Sequence, residues 1–177
     1  MIFEGKVWKF GDRIDTDLMM PGSAVMAKPG ISDAEASKYC MSSNRPGWAT
    51  QVQKGDLIIA GFHWGIGSGR PAARLFKALG ISVIVADSMS RLFFRNAVNI
   101  GLPVLICDGV SQNFDEGDLA RVNIETGEVI NLTQKIKMQG EALPMGSPPL
   151  EIIKTGGLIA FMKNEEAKKK HREKEQQ

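Results

Sequence analysis

Ser68 and Arg70 stand two positions apart in Gly65-Ile66-Gly67-Ser68-Gly69-Arg70, where glycine occupies every second place. A hydroxyl and a guanidinium are thus offered from a main chain that can turn at positive φ and approach a ligand closely. Arginine grips carboxylate or phosphate through two parallel hydrogen bonds, so an anion is the natural guest. A second stretch lies upstream: Asp12, Asp15 and Asp17 surround Arg13 in Gly11-Asp12-Arg13-Ile14-Asp15-Thr16-Asp17. It reads in two ways. Aspartates in a turn satisfy local backbone donors; alternatively, Asp15 or Asp17 orients a cation, such as an arginine that grips a substrate. The glycine stretch also suits a plain strand-to-helix turn. It is no nucleotide fingerprint, because Arg70 stands where G-x-G-x-x-G needs its last glycine and no Gly-Lys-Ser/Thr follows.

The elements around the loop set its geometry. Leu57 to Ala60 is an apolar run that reads as a strand, and Ala72, Leu75, Phe76 and Leu79 then recur at helical spacing. Such a helix aims its unpaired N–H groups and positive dipole end at the loop. Pro71 suits its first turn. Ile2 to Phe10 reads as an opening strand, Leu18 to Pro21 as a short apolar exit, and Gly22 to Gly30 as a loop containing Met26 and Lys28. Ser32, Asp33 and Glu35 mark a helix start that runs to Cys40 and is broken at Ser42 to Gly47. Trp48 to Lys54 fits no single element. Ile81 to Ala86 predicts a buried strand, Ser90 to Ile100 a helix ended by Gly101, and Leu102 to Ile106 another strand. This alternation implies parallel pairing with right-handed crossovers, hence an α/β layer structure. Leu119 to Ile124 and Val129 to Leu132 form a hairpin, and Lys135 to Met138 adds an edge strand. Pro144, Pro148 and Pro149 bracket a loop, Leu150 to Lys154 is a short helix, and Leu158 to Met162 begins a last helix that enters a charged tail.

The 177 residues suit one domain, 1–163, followed by the tail 164–177. A hydrophobic fraction of 43% with 24% charged residues is that of a globular chain. The formal charge of +2 comes partly from Lys168-Lys169-Lys170-His171-Arg172, so nothing marks a nucleic-acid surface. No apolar run approaches the roughly 20 residues that cross a bilayer, and no leader pattern opens the chain, so a cytoplasmic protein is expected. Cys40 and Cys107 are the only cysteines. Without C-x-x-C or a histidine cluster they make neither a disulfide scaffold nor a metal site, and Cys107 reads as a buried core thiol. Metal chemistry would need another chain.

Four stretches together resemble one family over nearly the whole chain. They are Gly11 to Asp17 with Pro21-Gly22, Gly65 to Arg70, Arg91-Leu92-Phe93-Phe94-Arg95-Asn96-Ala97 with Gly101-Leu102-Pro103, and Gly156-Gly157. The sequence resembles the small subunit of 3-isopropylmalate dehydratase, which is similar to the swivelling C-terminal domain of aconitases. The resemblance implies a β/β/α three-layer swivelling domain that closes over a partner's active site. It implies that a large subunit carries a 4Fe–4S cluster, that this chain binds no cofactor, and that the substrate is a small 2-hydroxy di- or tricarboxylic acid. By matching position, Ser68 would be the base and Arg70 the carboxylate ligand. The backbone of Gly67 and Gly69 would lie beside the substrate, and Asp17 with Thr16 would brace the site. The chain departs from the pattern at Gly69 and Pro71, where the family has serine and glutamate. Lys28 stands in the loop where the family has arginine, a point charge in place of a bidentate fork. These departures also fit a non-catalytic anion-binding or regulatory module that kept the fold. Surfaces meant for a partner leave open a homo-oligomer of the isolated chain.

Overall fold

The computed structural model describes residues 1–22 and 30–175. Strand β1 (Ile2–Phe10) joins two kinds of sheet. Its residues alternate exposed and half-buried up to Lys6, then Val7, Trp8 and Phe10 are buried. The change marks a change of neighbour. Val7 to Phe10 pair in parallel with β2 (Leu57–Ala60), whereas Ile2 to Lys6 pair antiparallel with β5 (Leu119–Asn123). With β3 (Val83–Ala86), β4 (Val104–Ile106), β6 (Glu128–Asn131) and β7 (Ile136–Gln139), the sheet order is β4-β3-β2-β1-β5-β6-β7. The strands from β4 to β1 are parallel, and those from β5 to β7 antiparallel. Every residue of β2 and β3 is buried, as continuous apolar runs in a covered parallel sheet should be.

Among the described residues, the α-helices are α1 (Thr16–Met19), α2 (Asp33–Ala36), α3 (Ala73–Leu79), α4 (Arg91–Asn99), α5 (Pro148–Lys154) and α6 (Leu158–Glu175). They pack in succession: α2 on α3, α3 on α4, α4 on α5 and α5 on α6. Successive parallel strands added in one direction by right-handed crossovers place their helices on one face. The architecture is α/β, as expected. Trp48, Trp64, Phe76 and Phe93 are fully or almost fully buried and meet edge-on or tilted at ring separations of 5.8 to 6.4 Å.

Three local readings need correction. Leu18 and Met19 belong to α1, which Asp15 caps. Pro148 and Pro149 open α5, where a missing N–H costs nothing, so the helix starts at Pro148 and not at Leu150. Pro71 lies before α3, whose N-cap is Ala72. Trp48 to Thr50, left unassigned above, is a 3-10 turn entered through Gly47. Among the described residues, no helix is long and apolar enough to cross a membrane.

Candidate functional site

The carboxyl ends of β1 and β2 lie side by side, and each releases a loop. In the first, Asp12 accepts the Phe62 amide at 2.8 Å and braces the exit from β2. Asp15 accepts the amides of Asp17 and Leu18 at 2.9 and 2.7 Å and so starts α1. These two aspartates satisfy backbone donors. Asp17 instead reaches the second loop.

That loop is anchored by Trp64, packed against Phe10, Phe76 and Phe93. The Gly65 amide donates to the Ile14 carbonyl at 2.8 Å, and the Thr16 amide to the Ile66 carbonyl at 2.9 Å. The first turn of α4 joins them: Ser90 Oγ donates to the Gly65 carbonyl at 2.5 Å and accepts the Phe93 amide at 3.1 Å. Gly65, Gly67 and Gly69 have φ of 74°, 99° and 75°, the left-handed region that disfavours a side chain.

Ser68 and Arg70 meet on one oxygen. Ser68 donates its hydroxyl to Asp17 Oδ1 at 2.7 Å, and Arg70 Nε donates to the same atom at 2.7 Å. Arg70 Nη1 also donates to the Met20 carbonyl at 2.7 Å. The guanidinium lies over Gly22, where a Cβ would come within 3.2 Å of Nη1 and Nη2. The Gly69 amide donates to Oγ1 of buried Thr16 at 3.2 Å. A carboxylate only accepts, so the Ser68 proton lies on the Asp17 side and both lone pairs of Oγ face elsewhere. Ser68 is exposed and Arg70 half-buried, so both groups border solvent. Such an arrangement can hold an anion on the guanidinium and present a proton-accepting oxygen beside it.

Ser68, Gly69, Arg70, Asp17 and Thr16 therefore come together, and Gly67 lies against Asp15 and Thr16 on the same loop. Lys28 lies outside the described residues. The sequence reading missed the Met20 carbonyl, which no residue type announces. It also missed the tie from Ser90, although a serine before a helical pattern signals an N-cap. No group of three or more His, Cys, Asp or Glu among the described residues could hold a metal ion. Burial raises the pKa of both thiols, that of Cys107 to about 11 with help from the charges of Asp87 and Asp108.

The Aconitase C-terminal domain family matches residues 31–108. The isopropylmalate/citramalate isomerase small subunit of Methanocaldococcus jannaschii is 40% identical over 168 residues, 94% of this chain and 96% of that one. The 3-isopropylmalate dehydratase small subunit of Sulfolobus acidocaldarius is 41% identical over 166 residues, 92% of this chain and 98% of that one. The chain belongs to the family of 3-isopropylmalate dehydratase small subunits. A crystal structure of 3-isopropylmalate dehydratase from M. jannaschii shares the fold of this family member with a TM-score of 0.88 and 30% identity, covering 97% of this chain and 99% of that one. The fold is thus that of an aconitase C-terminal-like domain. As a small subunit of this family, the chain has a large subunit as its implied partner.

Proposed function

We propose that this chain is one half of a hydro-lyase acting on a 2-hydroxy dicarboxylic acid of the isopropylmalate or citramalate kind, with Ser68 as the base and Arg70 as the carboxylate ligand. The observation that carries the reading is the meeting of Ser68 Oγ and Arg70 Nε on Asp17 Oδ1, on an exposed loop face.

A serine hydroxyl is a weak base in water. It works where positive charge and backbone donors stabilise the developing alkoxide. Here Asp17 fixes the direction of the hydroxyl proton and keeps the guanidinium within reach of the same ligand. Arg70 Nη2 lies outside the bonds to Asp17 and Met20 and faces a substrate carboxylate in this reading, while Ser68 Oγ, its own proton passed to Asp17, takes the proton from the adjacent carbon. Thr16 holds the Gly69 amide and so fixes the loop between the two groups. An iron–sulfur cluster on the large subunit would act as Lewis acid for the leaving hydroxyl.

The test is water elimination by the reconstituted two-subunit complex. Ser68→Ala is expected to lower kcat by roughly 10²–10⁴-fold with the complex intact, the usual weight of a positioned acid–base group. Full activity in that variant would remove Ser68 from the chemistry. Gly69 and Pro71, which replace the serine and glutamate of the family pattern, favour a second reading as a binding module. In that case the isolated chain would bind dicarboxylates tightly in calorimetry, whereas a half-site binds them weakly.

A further inference from the structure

Leu92 is 50% exposed although it is a large apolar residue in the first turn of α4. The glycine loop explains its place. A Cβ built on Gly69 would lie 2.4 Å from Leu92 Cδ2, so the isobutyl group fills the space into which a side chain at position 69 would point. Phe93 does the same beneath Gly65, where a Cβ would lie 2.3 Å from Phe93 Cβ, and it is 1% exposed. Besides the Ser90 tie, the first turn of α4 therefore meets the loop with two apolar side chains, at the core through Phe93 and at the surface through Leu92. On the other flank, the Gly69 amide faces Thr16 and the Ser68 hydroxyl faces Asp17. At Gly69 the loop is thus polar toward α1 and apolar toward α4, with Ser68 and Arg70 on either side of the glycine that Leu92 covers.

We propose that Leu92 is a specificity-determining residue, the apolar wall against which the hydrocarbon substituent of the substrate packs while a carboxylate rests on Arg70. The inference rests on the reading of Ser68 and Arg70 as a substrate site, and it adds the residue that discriminates among substrates of that class. Isopropylmalate carries a branched three-carbon group where citramalate carries a methyl. An apolar wall separates two such groups by roughly 10- to 200-fold per methylene when fully enclosed, and a half-exposed wall gives the lower end. A polar or absent wall would not separate them.

The experiment compares the two-subunit complex carrying Leu92→Ala or Leu92→Met with the parent complex. It reads kcat/KM for isopropylmalate and for citramalate, the affinity of the two subunits for each other, and calorimetric binding of both acids in a Ser68→Ala background, which needs no turnover. The expected result for Leu92→Ala is a fall of about ten-fold in the isopropylmalate-to-citramalate ratio, in both kcat/KM and binding, with unchanged subunit affinity. Leu92→Met, which keeps an apolar wall of similar volume, should stay within about three-fold of the parent. A ratio unchanged in Leu92→Ala overturns the proposal. So does an equal loss for both acids together with weaker subunit association, which would make Leu92 a docking residue. A shifted binding ratio, found while the parent complex with Ser68 intact turns over neither acid, supports the wall and defeats the hydro-lyase reading, so the two failures are distinguishable.

Discussion

Gly65 sits where three loops converge, its amide on Ile14 and its carbonyl on Ser90. A methyl group there would meet both a left-handed backbone and the Cβ of Phe93 at 2.3 Å. The backbone penalty is about 1–2 kcal/mol and overpacking adds roughly 1–3 kcal/mol, so Gly65→Ala should lower unfolding free energy by about 2–5 kcal/mol in urea titration. Gly22, which lies under the Arg70 guanidinium, has a different reason for being small: it lets a charged fork rest on bare backbone. The aspartate cluster shows how far residue types carry. The residues alone left an Asp-rich turn and a cation-orienting role for Asp15 or Asp17 both open, and only the family resemblance pointed to Asp17. Asp12 and Asp15 became backbone braces because their neighbours Phe62 and Leu18 had amides to satisfy, and this left Asp17 for a residue 51 positions away.

Element by element, the parallel half was legible because β-branched runs and helical spacing agree with the pairing they produce. Its ends were less so: Ile81 and Leu102 lie outside β3 and β4 although their apolar character continues the runs. The helix α1 was hidden by its length, since a single turn has no period to detect. In the antiparallel half, β5 is tied to the turn after β6 through Asp118. Its Oδ2 accepts from the Asp115 amide, Asn131 Nδ2 and Gln134 Nε2 at 2.8, 2.7 and 2.8 Å. Burial pushes the Asp118 carboxyl up, but these bonds outweigh it and hold the carboxyl below the usual carboxylate range. A folded pKa below the unfolded value of about 3.9 gives stability that is complete above that value and lost as pH falls through the folded one. Asp118→Asn should therefore melt at a lower temperature at pH 7 and show a smaller drop in melting temperature between pH 5 and pH 2, followed by circular dichroism.

At the scale of the molecule, contacts between distant segments cross over β1. Arg45 donates to Glu116 with both amino groups while its guanidinium lies 5.1 Å from the Trp8 ring and 5.8 Å from that of Phe10. Glu116 in turn accepts the Lys9 amide at 3.0 Å. Both charges are over a third exposed, so screening limits the pair, and Glu116→Gln should cost no more than about 1 kcal/mol, less at high salt. The path of the first strand has a larger effect, on kinetics. Glu4 and Arg121, paired across the sheet, are 117 positions apart. Chain closure over such a span must come before the contacts that reward it, so refolding from urea should fall in the millisecond-to-second range of non-local topologies. On the ribosome, residues 2–6 emerge early and wait for residue 123. In that interval their unclaimed N–H and C=O groups form an open edge to which a second nascent copy can add, and this interval is where misassembly would begin.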